Sequence, residues 1–175
     1  PGMKVDRGTT TIAGWPGSRI TAGLDGLRER LYEYHQLGAR FAKWRAVIDI
    51  DKDVPNAAAI SANAHALARY AALCQEADLV PIVEPEVLMD GTHSLQRCEA
   101  VTDATLLAVF AELVAQGVAL EAMVLKPNMV ISGAEAPERA SASEVAEATL
   151  RCMRRRVPAA VPGIAFLSGG QSPLE

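Results

Sequence analysis

Five polar segments recur along this chain at almost constant distance. They are Gly2-Met3-Lys4-Val5-Asp6, Phe41-Ala42-Lys43-Trp44-Arg45, Ile82-Val83-Glu84-Pro85-Glu86, Leu125-Lys126-Pro127-Asn128-Met129 and Phe166-Leu167-Ser168-Gly169-Gly170. The steps Lys4→Lys43, Lys43→Glu84, Glu84→Lys126 and Lys126→Ser168 are 39, 41, 42 and 42 residues, and helix-forming sequence fills each interval. Each segment closes a short apolar run. That rhythm is a chain of βα units, and a parallel sheet delivers its strand ends to one common face. Side chains this far apart in sequence therefore converge in space.

Alternation along a strand refines the expectation. Lys4 and Asp6 share a face, as do Lys43 and Arg45, Glu84 and Glu86, and Val124, Lys126 and Asn128. If these faces look into a barrel, its mouth gathers Lys4, Lys43, Arg45 and Lys126 with Asp6, Glu84 and Glu86. Such a concentration of charge is costly as mere structure, so the mouth is the expected site of chemistry.

The intervals read as four helices. The first covers roughly 24–37, with Leu24, Leu27, Leu31 and Tyr34 at helical spacing and Gly38 as its stop. The second begins around Pro55-Asn56, with Pro55 in the first turn. The third spans about 94–116 and ends at Gly117. The fourth starts near Ser141 or Ser143, where Ser141 and Glu144 have capping-box spacing. No linker or domain boundary interrupts residues 1–175, which read as one domain.

Composition narrows the function. The chain has 175 residues, half of them hydrophobic, and a net charge of −4, which gives no footing for nucleic acid. Arg151, Arg154, Arg155 and Arg156 fall at the end of a helix, where cations complement the macrodipole, and are expected on a solvated face. No apolar stretch reaches the ~20 residues needed to cross a bilayer, and no leader is recognisable, so the cytoplasm is the expected compartment. Cys74, Cys98 and Cys152 lack metal-ligand spacing and read as reduced thiols on helix faces. His35, His65 and His93 lie in or beside helices rather than at strand ends. Neither a metal site nor a cofactor is expected.

A lysine at the boundary between core and mouth is partly desolvated, which disfavours its charged form. The neutral amine is the nucleophile that forms a Schiff base with a carbonyl. Lys126 holds that position. Forming and dehydrating a carbinolamine needs a group that both donates and accepts a proton, and Glu84, one strand earlier and fixed by Pro85, is the candidate, with Glu86 expected to disfavour its ionisation by like-charge repulsion. Lys4 and Lys43 are expected to oppose protonation of Lys126 and to attract an anionic substrate. Arg45 reads equally as a partner of Glu84 or Glu86 and as a substrate contact. The Ser168-Gly169-Gly170 turn frees successive N–H groups to hold a phosphate.

The segments MKVDRG, GLDGLRERLYEY, FAKWRAV, LARYAALCQ, VPIVEPEVL, LKPNMV and GIAFLSGGQS together resemble class I fructose-bisphosphate aldolase, the Schiff-base type. The resemblance runs from end to end. It implies an α/β fold, the (β/α)8 TIM barrel, of which this chain supplies about the third to seventh strands, and an enzyme usually assembled as a homotetramer. It implies reversible cleavage of fructose 1,6-bisphosphate into dihydroxyacetone phosphate and glyceraldehyde 3-phosphate, without a cofactor. By position, Lys126 is the implied Schiff-base lysine, Glu84 the acid/base, and Lys43 a lysine that assists cleavage. Lys4 and Arg45 match the mouth, and Ser168, Gly169 and Gly170 the phosphate loop; Glu86, on the same face, is a further substrate-binding candidate.

Two features depart from the family pattern. The segment Gly14-Trp15-Pro16-Gly17-Ser18 differs locally. At about 41 residues per unit, eight units need roughly 330 residues, more than the 175 present. The chain is therefore expected to be part of a longer enzyme and to be inactive in isolation. The competing readings are another Schiff-base barrel enzyme, such as transaldolase or a keto-acid aldolase, and a binding or scaffold piece. The first shares a strand-six lysine but is not expected to carry VPIVEPE followed by LKPNMV.

Overall fold

The computed structural model describes residues 1–51, 55–167 and 171. Its elements, in chain order, are β1 (Gly2–Lys4), β2 (Thr9–Ile12), β3 (Trp15–Thr21), α1 (Leu27–Gln36), β4 (Phe41–Ile48), α2 (Ala57–Glu76), β5 (Val80–Val87), α3 (Leu95–Ala115), a 3-10 turn (Leu120–Ala122), β6 (Val124–Leu125) and α4 (Ala142–Arg156). Strands β1, β4, β5 and β6 form one parallel sheet in that order. A fifth strand position follows, because Leu125 bridges Ile164 in parallel. The bonds Leu125 N–Gly163 O (3.1 Å) and Ala165 N–Leu125 O (2.9 Å) hold it. The strand positions that lead to the five expected segments thus lie side by side in sequence order.

Alternation decides which face is core. Ala42, Trp44, Ala46 and Ile48 of β4, with Val83 and Val87 of β5, are buried in a cluster with Leu67, Tyr70 and Ala71 of α2 and Leu106 and Val109 of α3. Trp44 and Tyr70 rings meet at 5.6 Å. The Tyr70 hydroxyl donates to Ala42 O (2.7 Å), with Ile82 O also near at 3.2 Å. Burial pushes its pKa well up, so it remains a donor. The opposite face of these strands carries Lys43, Arg45, Glu84 and Glu86.

The hairpin β2–β3 is a feature that the sequence reading did not anticipate. It is antiparallel, pairs Thr9 with Thr21, and turns at Gly14, whose φ of 78° suits glycine. The departing segment at Trp15–Ser18 belongs to β3. Asn63 of α2 anchors it, accepting from Thr21 N (3.0 Å) and donating to Arg19 O (2.9 Å). Arg19 also holds Asp49 with both oxygens engaged, at 2.9 and 2.6 Å.

The helix boundaries are tighter than expected. Leu24 precedes α1, and Pro55 sits before the α2 N-cap rather than in its first turn. Asn56 caps α2 instead, accepting from Ala59 N at 2.8 Å while its amide reaches Ser18 Oγ (2.7 Å). Ser94 caps α3, and Ser141 with Glu144 forms the anticipated capping box of α4. The arginines of α4 do more than face solvent. Arg151 grips Glu99 (2.8 Å twice), and Arg155 and Arg156 reach Asp103 (3.2 and 2.6 Å), joining α4 to α3. These partners hold both carboxyls below their usual range. The three cysteines lie in α2, α3 and α4, free and buried, and burial pushes Cys74 and Cys152 up to about 12.

Three helices end with the same turn. After α1, Ala39 N bonds Tyr34 O (2.9 Å); after α2, Leu79 N bonds Cys74 O (2.9 Å); after α3, Val118 N bonds Leu113 O (3.0 Å). Each turn needs one residue with positive φ, supplied by Gly38 (93°), Asp78 (55°) and Gly117 (72°). Asp78 is exposed and carries a side chain that the other two lack. Asp78→Gly is therefore expected to stabilise the protein by about 1 kcal/mol, read as a higher midpoint in thermal unfolding. An unchanged or lower midpoint counts against the turn as described.

Candidate active site

Three of the expected residues meet on the open face of the sheet. Register explains why: β1 pairs with β4 so that Lys4 lies opposite Lys43, and β4 pairs with β5 so that Arg45 lies opposite Glu84. Lys43 and Glu84 are then diagonal neighbours on one face. Lys126 N bonds Val83 O at 2.8 Å, which sets Lys126 beside Glu84 from the other side.

The Glu84 carboxylate is divided between two amines. Its Oε2 accepts from Lys43 Nζ at 2.7 Å and its Oε1 from Lys126 Nζ at 2.7 Å. The glutamate side chain is 3% exposed, whereas both lysine side chains are 28% exposed. The acid is thus buried and the amines reach toward the cavity. A proton on either nitrogen has a carboxylate oxygen at hydrogen-bond distance, and both oxygens belong to one group.

Flanking charges are paired. Arg45 Nε donates to Glu86 Oε2, and this contact raises the Arg45 pKa further. The expected repulsion between Glu86 and Glu84 is therefore met by Arg45, and the nearest charges on Glu84 are the lysines. Lys4 Nζ donates to Asp6 Oδ1 (2.7 Å) rather than turning toward Lys126. Asp6 Oδ2 accepts from Arg45 N at 3.3 Å, tying the end of β1 to β4.

These groups line a cavity of about 450 Å³ whose wall includes Lys4, Lys43, Arg45, Glu84, Glu86 and Lys126. A larger cleft, about 1030 Å³, lies between β3 and the loops after β4 and β5, where Arg19, Asp49, His93 and Arg97 line it. Among its described residues there is no amine nucleophile, so chemistry rather than size selects the smaller cavity. His35 lies on α1, and His65 pairs with Glu112 (3.0 Å) outside both cavities. Among the described residues, no group of three His, Cys, Asp or Glu side chains is arranged to hold a metal ion. Nor is any helix there long and apolar enough to cross a membrane.

Asn128, expected to share a face with Lys126, borders the same cavity but turns its amide inward. Asn128 is 3% exposed and spends its amide on Val87 N (3.0 Å), Thr102 Oγ1 (3.1 Å) and Met129 O (3.0 Å). Strict alternation put it beside Lys126, but the β6 ladder ends before it, so alternation no longer applies. Thr102, on α3, escaped the sequence reading. The signal was a threonine on the apolar stripe of Cys98, Val101 and Leu106. Ser168, Gly169 and Gly170 lie outside the described residues.

Comparison with known proteins identifies the family. The family model for fructose-bisphosphate aldolase class-I matches residues 1–175. A probable fructose-bisphosphate aldolase class 1 from Xanthomonas campestris pv. campestris is 60% identical over 172 residues, covering 98% of this chain and 52% of the relative. Fructose-bisphosphate aldolase 6, cytosolic, from Arabidopsis thaliana is 54% identical over 175 residues, covering 100% and 49%. The solved fructose-bisphosphate aldolase of Plasmodium falciparum superposes with a TM-score of 0.95 at 50% identity, over 98% of this chain and 50% of that one. The chain spans about half the length of the relatives it matches, and its parallel strands form a partial α/β barrel. It belongs to the class I fructose-bisphosphate aldolase family.

Proposed function

We propose that a complete protein carrying these residues cleaves fructose 1,6-bisphosphate reversibly to dihydroxyacetone phosphate and glyceraldehyde 3-phosphate through an imine on Lys126. The observation that carries this reading is the buried Glu84 carboxylate with one lysine on each oxygen, both at 2.7 Å. Lys126 transfers its proton to Glu84 Oε1 and attacks the C2 ketone. Glu84 then returns the proton to the carbinolamine oxygen, which leaves as water and gives the iminium.

The iminium is the electron sink. When the C4 hydroxyl gives its proton to the Glu84 carboxylate, the C3–C4 bond breaks and its electron pair flows toward nitrogen, leaving an enamine and releasing the aldehyde. Protonation of C3 and hydrolysis then free dihydroxyacetone phosphate and regenerate Lys126. Lys43, on the other oxygen of Glu84, stabilises charge developing on the substrate oxygens. Lys4, Arg45 and Glu86 bind and orient the substrate at the rim. Ser168, Gly169 and Gly170 bind a phosphate. Residues 1–175 act as one incomplete barrel domain. The family resemblance supports a cytoplasmic homotetramer, and a relative named cytosolic supports the compartment.

This chemistry places the electron sink on nitrogen, so cleavage is expected to survive EDTA. The test is a coupled assay of fructose 1,6-bisphosphate cleavage by the complete protein with and without chelator. Equal rates fit the proposal. Loss on chelation, restored by a divalent ion, contradicts it.

A further inference from the structure

The sheet is interrupted beside Lys126 on both sides by proline. Along β5, the N–H groups of even-numbered residues point to β4, as Leu88 N bonding Ile48 O (2.9 Å) shows. Odd-numbered residues therefore point to β6. Lys126 N bonds Val83 O, but the next β5 group facing β6 is Pro85, which has no hydrogen to give. On its other side, Leu125 N bonds Gly163 O, and the next residue of like orientation is Pro127. Past the lysine each ladder loses a donor, and only the 3.5 Å bond from Leu167 N to Pro127 O continues the pairing on the far side.

A side chain resumes the connection. Val87 N, the next β5 donor facing β6, gives its hydrogen to Asn128 Oδ1 at 3.0 Å. That bond fixes which end of the amide is oxygen, since a backbone N–H can only donate. The amide nitrogen must then find acceptors, and Thr102 Oγ1 lies at 3.1 Å, with Thr102 1% exposed in the apolar interior. A buried hydroxyl is unfavourable unless satisfied, and this one is satisfied by the group that joins the two strand ends. Asn128 is two residues past Lys126, and Val87 three past Glu84. Downstream, Ile131 N reaches Cys98 Sγ (3.5 Å) and Val130 N reaches Thr149 Oγ1 (2.9 Å).

We infer that Asn128 and Thr102 are positioning residues that hold Lys126 against Glu84 where the prolines interrupt the backbone ladder. The inference rests on the reading of Lys126 as the imine-forming amine. Asn128 borders the Lys126 cavity, but its amide is spent on Val87 N, Thr102 Oγ1 and Met129 O, and Thr102 lies outside the lining. The two side chains fix the backbone that sets the Nζ–Oε1 separation, so their loss slows imine formation more than substrate binding.

The test uses the complete protein and the variants Thr102→Val, Thr102→Ser and Asn128→Ala. In folded Thr102→Val, kcat is expected to fall about tenfold with KM changed less than about twofold. The rate of borohydride-trapped adduct formation falls in parallel, and Asn128→Ala loses about a hundredfold. Thr102→Ser, which keeps the hydroxyl, restores wild-type rates. A Thr102→Val enzyme that melts lower yet keeps its kcat and trapping rate overturns the inference, because a merely structural role gives that result. So does a folded Thr102→Ser enzyme as slow as the valine variant. If Asn128→Ala does not fold, the threonine pair decides. Absence of any adduct at Lys126 in the wild-type protein instead refutes the reading beneath.

Discussion

Lys126→Met in the complete protein is expected to lower kcat for fructose 1,6-bisphosphate cleavage by on the order of 10⁴-fold or more. Methionine keeps the length of the side chain and removes the nucleophile, so no covalent route remains. The fold should survive, because Glu84 retains Lys43 at 2.7 Å and is not left as a lone buried charge. Steady-state assay together with circular dichroism checks both halves. A folded methionine variant within about tenfold of wild type would mean that the reaction does not pass through this amine.

Glu84→Gln is expected to cost between about 10² and 10⁴ in kcat. The amide is nearly isosteric but cannot take a proton from Lys126 or return one to the carbinolamine. It also offers one acceptor oxygen where the carboxylate offers two, so one lysine must face an NH₂ group. Adduct trapping should slow along with turnover, since Glu84 acts before the bond breaks. The informative contrast is timing. Rapid trapping with slow release of aldehyde would assign Glu84 to cleavage alone and move the acid/base role in imine formation to another group.

The sequence made the chemical centre legible because two periodicities coincide there. A spacing of about 41 residues aligns strand ends, and alternation within each strand turns Lys43 and Glu84 to the same face. Together they bring Lys43, Glu84 and Lys126 together without any reference to loops. Gly38, Gly117, Ser94 and the Ser141–Glu144 pair marked helix ends correctly, because capping depends on local hydrogen-bond chemistry.

What escaped lies where local rules are overridden. The β2–β3 hairpin has no apolar alternation to betray it. Thr10 and Thr11 are exposed, and the contacts that fix it come from Asn63, more than forty residues away. Asn128 was placed by alternation on the face of Lys126, yet prolines at 85 and 127 interrupt the ladder and free its amide to turn inward. Arg151, Arg155 and Arg156 read as a helix end complementing its own dipole. Their carboxylate partners sit on α3, over fifty residues earlier, which no local pattern reports. Arg45 reaches Glu86, diagonally across the sheet, rather than Glu84 directly opposite it, a choice that spacing alone left open.

Peptide mapping after borohydride reduction probes the proposed imine without relying on rates. The complete protein is incubated with dihydroxyacetone phosphate, reduced, digested and sequenced by mass spectrometry. One adduct per chain on Lys126, abolished in Lys126→Met and absent from Lys43 and Lys4, is the result expected. An adduct on Lys43 with Lys126 unmodified, or no adduct while cleavage proceeds, would contradict a site built on the amine beside Glu84 Oε1.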